Sequence, residues 1–278
     1  LIFPWKKLPP GIIPTFSWIF KNKIPTNIIP NIVISCGRKS VFLSMHLKKN
    51  FPDIINIHIQ NPKISTKYFS FVVVPSHDNL EGKNVISSVG AIHHLKNNDM
   101  KFDIKESNLI SCIIGGENNH YYFKEEQTYE ICKKIRNIKI YNPSFEILIV
   151  TSRRTDIKTK SILKKQLSSI SKLWLGSGDN PYLFAIQNSK FFIITSDSTS
   201  MISEASISGK PIYVYQLPFK RKSNRFERFH NEFKKLNITK DFNNIEILEN
   251  WSYESLNESE RIAGIIKKRI IEGINETK

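Results

Sequence analysis

Short apolar runs recur along this chain, each closed by a turn of glycine, serine, proline or asparagine and most leading into a helical pattern. Residues 31–35, 53–59, 69–74 and 84–89 are such runs, and residues 109–114, 145–150, 172–175, 190–195 and 212–215 continue the series. Runs of this length are strands rather than helices, and their near-continuous apolar character suits strands buried on both faces of a parallel sheet. Parallel strands need crossovers, which the helical patterns between them supply. The alternation predicts an α/β chain of doubly wound sheets. It halts at residues 96–107, KNNDMKFDIKES, which are polar and charged, and then restarts. The break predicts a linker between two domains, residues 1–105 and 106–250. Residues 251–278 form a closing segment, with Ile262, Ile265, Ile266 and Ile270 on one face of a helix expected to return to the first domain.

Open α/β sheets bind ligands at the carboxyl ends of their strands, so the turn after each run holds the candidates. The richest is TSDSTSMISEASISGKP, residues 195–211. Asp197, Ser198, Thr199 and Ser200 can each cap a helix, and Gly209 and Pro211 stop it. The first-turn N–H groups of that helix suit an anion such as a diphosphate, and Glu204, one turn in, suits a sugar diol. The same residues serve equally as a plain helix cap, and the local pattern leaves both readings open. Gly115 and Gly116 close the first run after the polar break, where paired glycines let a backbone approach a phosphate. Ser152, Arg153 and Arg154 occupy the corresponding turn after the next run, and guanidinium forks suit a diphosphate there. In GSGDNPY, Asp179 and Asn180 either frame a nucleoside or form the turn and cap a helix. Gly37 and Arg38 make a weaker phosphate contact at the first strand–helix junction, and His77 with Asp78 is the candidate acid–base pair. His93 and His94 have no acidic or cysteine partners at ligand spacing, so no metal site is expected.

Lys+Arg 41 against Asp+Glu 25 gives a formal charge of +16, which favours anionic partners such as nucleotides or an acidic membrane surface. Scattered lysines account for much of it, and a generally basic surface is the simpler reading. No nucleic-acid-binding module accompanies the charge, so no specific nucleic acid is expected. Cys36, Cys112 and Cys132 are far apart, and Cys36 and Cys112 lie in apolar runs. Buried free thiols in a reducing compartment are expected. No apolar run approaches the length of a membrane span, and the proline-broken start, with Trp5, Lys6, Lys7 and Trp18, lacks a signal-peptide pattern. The expected location is the cytoplasm, with peripheral contact to a membrane.

The strings SCGRKS, VVVPSHD, NVISSVGAIHHL, IIGGENNHYYF, VTSRRT, GSGDNPYLFAI, TSDSTSMISEASISGKPIYVY, FERFHNEF and ENWSYESLNE resemble, in order and wording, the mitochondrial fission family. Its plant founder is named for the elongated mitochondria of mutants. That family is in turn similar to GT-B glycosyltransferases, which implies two Rossmann-like domains facing a central cleft. The resemblance implies a nucleoside diphosphate sugar as substrate, with its diphosphate at Ser198, Thr199, Ser200 and Met201 and its ribose near Glu204. It implies that Gly115 and Gly116 line the cleft, that Arg153 is the cationic partner, and that no metal or other cofactor is needed. Acceptor activation would fall to His77 or Asp78. Abundant Lys, Ile and Asn suggest a bacterial genome, and a bacterial member is expected to be a sugar-nucleotide-binding protein or glycosyltransferase at the membrane surface. The other expectation is a non-catalytic adaptor with a protein partner, as in organelle fission. Family members open with a strand and a glycine-rich, histidine-containing turn that does not precede Leu1, so that first β/α unit is expected to be missing.

Overall fold

The computed structural model describes residues 1, 3, 5, 7, 16, 19, 20, 29–95, 108–243, 245 and 247–276. The polar stretch 96–107 and most of the proline-punctuated start, including Lys6 and Trp18, lie outside the described residues. Two compact units emerge from the packing, one of Leu1–Val89 with Glu258–Lys278, the other of Gly90–Asn257.

The first unit holds a parallel sheet of β1 (Ile32–Cys36), β2 (Ile55–Ile59), β3 (Phe71–Pro75) and β4 (Val85–Ser88) in the order β1-β2-β3-β4. The helix α1 (Ser40–Asn50) connects the first two strands, and Gly37 at φ +79° makes the turn that starts it. Val41, Phe69, Val72 and Val74 form a small core, each fully buried side chain of this size contributing about 1.5–3 kcal/mol. The last helix, α7 (Glu258–Glu276), belongs to this unit. Glu258 Oε2 accepts from the Val89 amide at 2.7 Å, Arg261 Nη2 donates to the Ser87 carbonyl at 2.7 Å, and Ile262 and Ile266 are buried.

The second unit is a six-stranded parallel sheet. It runs β5 (Leu109–Ile114), α2 (Glu125–Tyr141), β6 (Glu146–Thr151), α3 (Ile157–Leu167), β7 (Lys172–Trp174), α4 (Tyr182–Asn188), β8 (Phe191–Thr195), α5 (Thr199–Ala205), β9 (Ile212–Tyr215), α6 (Asn224–Lys235) and β10 (Thr239–Asp241). The strand order is β10-β9-β8-β5-β6-β7. All residues of β5 and β8 are buried, as expected of central strands covered on both faces. Helix α2 buries Ile131, Cys132, Ile135 and Ile138, a helical stripe, and Glu125 and Glu126 in its first turn complement the dipole. Asp156 caps α3 by accepting from the Thr159 amide at 2.9 Å. Phe229 and Phe233 are the buried face of α6.

Two expectations are corrected. Cys36 is exposed rather than buried, because the alternation along β1 turns Ser35 inward and its neighbour out. The sheet also gains β10, whose short Thr-Lys-Asp run carries no apolar pattern and pairs in parallel with β9. Among the described residues no helix is long and apolar enough to cross a membrane.

Candidate nucleotide site of the second unit

From β5 the chain proceeds to β6 on one side, while β8 lies on the other. The strand order reverses between β5 and β8, and the crevice at the carboxyl ends of such a pair is where open α/β sheets bind ligands. The two turns that flank it are Gly115-Gly116, after β5, and Ser196-Asp197-Ser198, after β8.

Asp197 ties the two turns together. Its side chain is fully buried and accepts from Arg154 Nη2 at 2.7 Å, from the Gly116 amide at 3.1 Å and from Thr195 Oγ1 at 2.6 Å. Its carbonyl takes Asn118 Nδ2 at 3.1 Å. Burial pushes the Asp197 carboxyl above its ordinary value, opposed by the Thr195 hydroxyl, the Arg154 charge and the Gly116 amide. The Gly115 amide donates to Thr195 Oγ1 at 2.8 Å, and Thr155 Oγ1 donates to the Gly115 carbonyl at 2.5 Å. Both glycine amides are therefore engaged within the protein. A Cβ on Gly115 would lie 2.1 Å from Asp197 Oδ1, and one on Gly116 would lie 2.2 Å from the Arg154 carbonyl oxygen. Close packing of three turns accounts for the paired glycines.

Ser198 is the N-cap of α5, accepting from the Met201 amide at 3.5 Å. Thr199 is half-buried and opens the helix, Ser200 is exposed, and Met201 is buried. The Thr199 carbonyl takes Ser203 Oγ at 2.8 Å, and Ser203 Oγ accepts from the Ala91 amide at 2.9 Å. Glu204, half-buried one turn in, accepts from Tyr182 Oη at 2.5 Å. GSGDNPY and TSDSTSMISEASISGKP thus meet through a phenol and a carboxylate. His93 lies within electrostatic range of Glu204; burial pushes its imidazole down and the carboxylate opposes that shift. Tyr121 stacks on Phe219 at 4.7 Å, and Tyr121 Oη lies 3.4 Å from His230 Nε2, which in turn lies 3.2 Å from the Ser196 carbonyl.

The remaining candidates stand as follows. Arg153 is exposed, with no hydrogen bond or ion pair among the described residues, whereas Arg154 holds Asp197. Ser152 closes its own turn: its hydroxyl lies 3.2 Å from Thr155 Oγ1 and accepts from the Arg154 amide at 3.1 Å. Asn180 Oδ1 accepts from the Tyr182 amide at 3.0 Å, and exposed Asp179 precedes it. In the first unit, Arg38 Nη2 donates to the Lys7 carbonyl at 2.6 Å, and the Gly37 carbonyl accepts from Ser40. His77 is buried and Asp78 half-buried in a 3-10 turn at the end of β3. No group of three His, Cys, Asp or Glu able to hold a metal occurs among the described residues.

The profile of the family described as Mitochondrial fission ELM1 matches residues 3–270. The chain belongs to that family. Among its relatives in this family are a plant and a bacterial protein. It is 23% identical to the mitochondrial fission protein ELM1 of Arabidopsis thaliana, over 87% of this chain and 64% of the plant protein, so it spans under two thirds of that relative. It is 29% identical to an uncharacterised protein, RP120, of Rickettsia prowazekii, over 94% of this chain and 87% of the other. Its structure is similar to that of a candidate UDP-N-acetylglucosamine 2-epimerase of Listeria monocytogenes, with a TM-score of 0.52 at 11% identity over 87% of this chain and 75% of that one. The ELM1-family chain therefore has a GT-B-like α/β fold with two parallel-sheet units.

Sequence reasoning named Ser198–Met201 and Glu204 and missed three partners that organise them. Asp197 read as one of four interchangeable caps, Arg154 stood behind Arg153, and Tyr182 read as the end of a turn. The spacing of Thr195 and Asp197, a polar pair directly after a fully apolar strand, was the available signal for a buried network.

Proposed function

We propose that this ELM1-family chain binds the nucleoside diphosphate of a sugar nucleotide on its second unit, at the carboxyl ends of β5 and β8, and processes or transfers the sugar at a membrane surface. The observation that carries this is that α5, with Ser198 at its cap and Glu204 one turn in, follows β8 at the point where the strand order reverses, its leading turn tied to the Gly115-Gly116 turn through Asp197. Ser198, Thr199 and Ser200 then supply hydroxyls to the diphosphate, Arg153 supplies the uncommitted positive charge, and Glu204 accepts from the ribose. Fixed donors aimed at a departing diphosphate stabilise it without a metal ion. The Listeria protein's name refers to a UDP-sugar, and the shared fold supports UDP-N-acetylglucosamine as the first ligand to try. The test is calorimetric titration of the chain with UDP-N-acetylglucosamine and UDP, repeated on Glu204→Gln. Binding that weakens about tenfold or more in the variant, in excess of any loss of stability read from its melting curve, supports the proposal. A wild-type chain that binds neither ligand favours a non-catalytic adaptor.

A further inference from the structure

The ring of Tyr182 packs with Trp174 against Leu109, Leu148, Val150 and Ala185. Its hydroxyl donates to Glu204 Oε2 at 2.5 Å. Burial and the Glu204 charge both push the phenol above its ordinary value, so it stays a donor. No hydrogen bond reaches Glu204 Oε1 among the described residues. A carboxylate on a flexible side chain has several rotamers to choose from, and this one is held by a rigid, core-anchored donor. One oxygen is engaged, and the other has unfilled acceptor capacity.

We propose that Tyr182 is a positioning residue that holds Glu204 to read the vicinal hydroxyls of a ribonucleoside diphosphate and so discriminate against its 2′-deoxy counterpart. This rests on the reading of the second unit as a nucleotide site. A site built to hydrogen-bond a substrate hydroxyl rejects the analogue that lacks it, because its own polar group is left unpaired. Discrimination depends on holding that group still, and the Tyr182 hydroxyl does so from outside the ligand. Asn180 fixes the base of the device by accepting from the Tyr182 amide at 3.0 Å.

The test is titration of wild type, Tyr182→Phe, Glu204→Gln and the double variant with UDP and with 2′-deoxy-UDP. Tyr182→Phe keeps the ring and its packing. The wild type is expected to prefer UDP by about tenfold, and Tyr182→Phe to reduce the preference to about threefold or less while leaving the affinity for 2′-deoxy-UDP nearly unchanged. Adding Glu204→Gln to Tyr182→Phe is expected to remove little more, because the two act as one unit. If Tyr182→Phe weakens both nucleotides equally, or preserves the preference, Tyr182 supports the fold alone and the proposal is overturned while the nucleotide site stands. Equal wild-type binding of the two nucleotides also overturns it. If the wild type binds neither nucleotide, the site and the proposal fall together.

Discussion

Arg154 Nη2 lies 2.7 Å from Asp197 Oδ2, with the aspartate side chain fully buried and the arginine side chain 44% exposed. The pair joins the turn after β6 to the turn after β8 across the intervening β5. Its neighbour Arg153, one residue away, makes no such contact among the described residues.

Arg154→Ala should therefore destabilise the protein by about 1–3 kcal/mol, because it removes the side-chain charge that pairs with a buried carboxylate and leaves it neutral donors such as the Thr195 hydroxyl and the Gly116 amide. Arg153→Ala should stay within about 0.5 kcal/mol of wild type. Urea unfolding of the two variants checks the difference, and equal midpoints would show that the ion pair does not contribute.

The two glycines should fail for different reasons. A Cβ on Gly115 meets a side chain, that of Asp197, and a Cβ on Gly116 meets the backbone of Arg154. Each alanine substitution is expected to cost about 1–3 kcal/mol. Combining Gly115→Ala with Asp197→Ala should be less damaging than the sum of the single changes, because the carboxylate that the new Cβ meets is gone, whereas Asp197→Ala leaves in place the Arg154 backbone that Gly116→Ala meets, so the second double variant should be the less stable of the two. Melting curves of the five variants and wild type decide it.

Much of the architecture was legible because central strands such as β5 and β8 leave continuous apolar runs, and helices such as α2 leave a stripe of period 3.6. Thr239–Asp241 was not, since an edge strand of polar residues gains its identity from pairing with β9 rather than from its own pattern. At the site, the cap role of Ser198 and the nearness of Glu204 to it followed from spacing along one helix. The Tyr182–Glu204 and Arg154–Asp197 contacts did not, because each joins residues far apart in sequence through a sheet whose strand order local pattern does not specify.

Acid should loosen the first unit through His58. Its imidazole is buried, lies 2.8 Å from Ser35 Oγ through Nδ1, and is pushed by burial down to about 4. The folded state prefers the neutral ring, so the contribution is fully present above the ordinary histidine value near ~6.5 and is lost as pH falls from there through about 4. The loss is at most about 3 kcal/mol. The stability gap between wild type and His58→Gln, measured by urea unfolding at several pH values, should narrow over that window. A gap independent of pH would contradict the assignment.

Thiol chemistry should separate the three cysteines. Cys36 is exposed, while Cys112 and Cys132 are buried in the core of the second unit, where burial pushes both thiols up, Cys132 to about 11. An aromatic disulfide reagent should label Cys36 alone in the native protein and all three in denaturant. Rapid native labelling of Cys112 or Cys132 would show that the core opens.

The central claim, that a nucleoside diphosphate occupies the carboxyl ends of β5 and β8, is tested most directly by amide hydrogen exchange of the whole chain with and without UDP. The account predicts slower exchange in peptides covering residues 176–182 and 195–204. Protection absent from both segments, or spread instead over α3 with its exposed Lys158, Lys164 and Lys165, would contradict it.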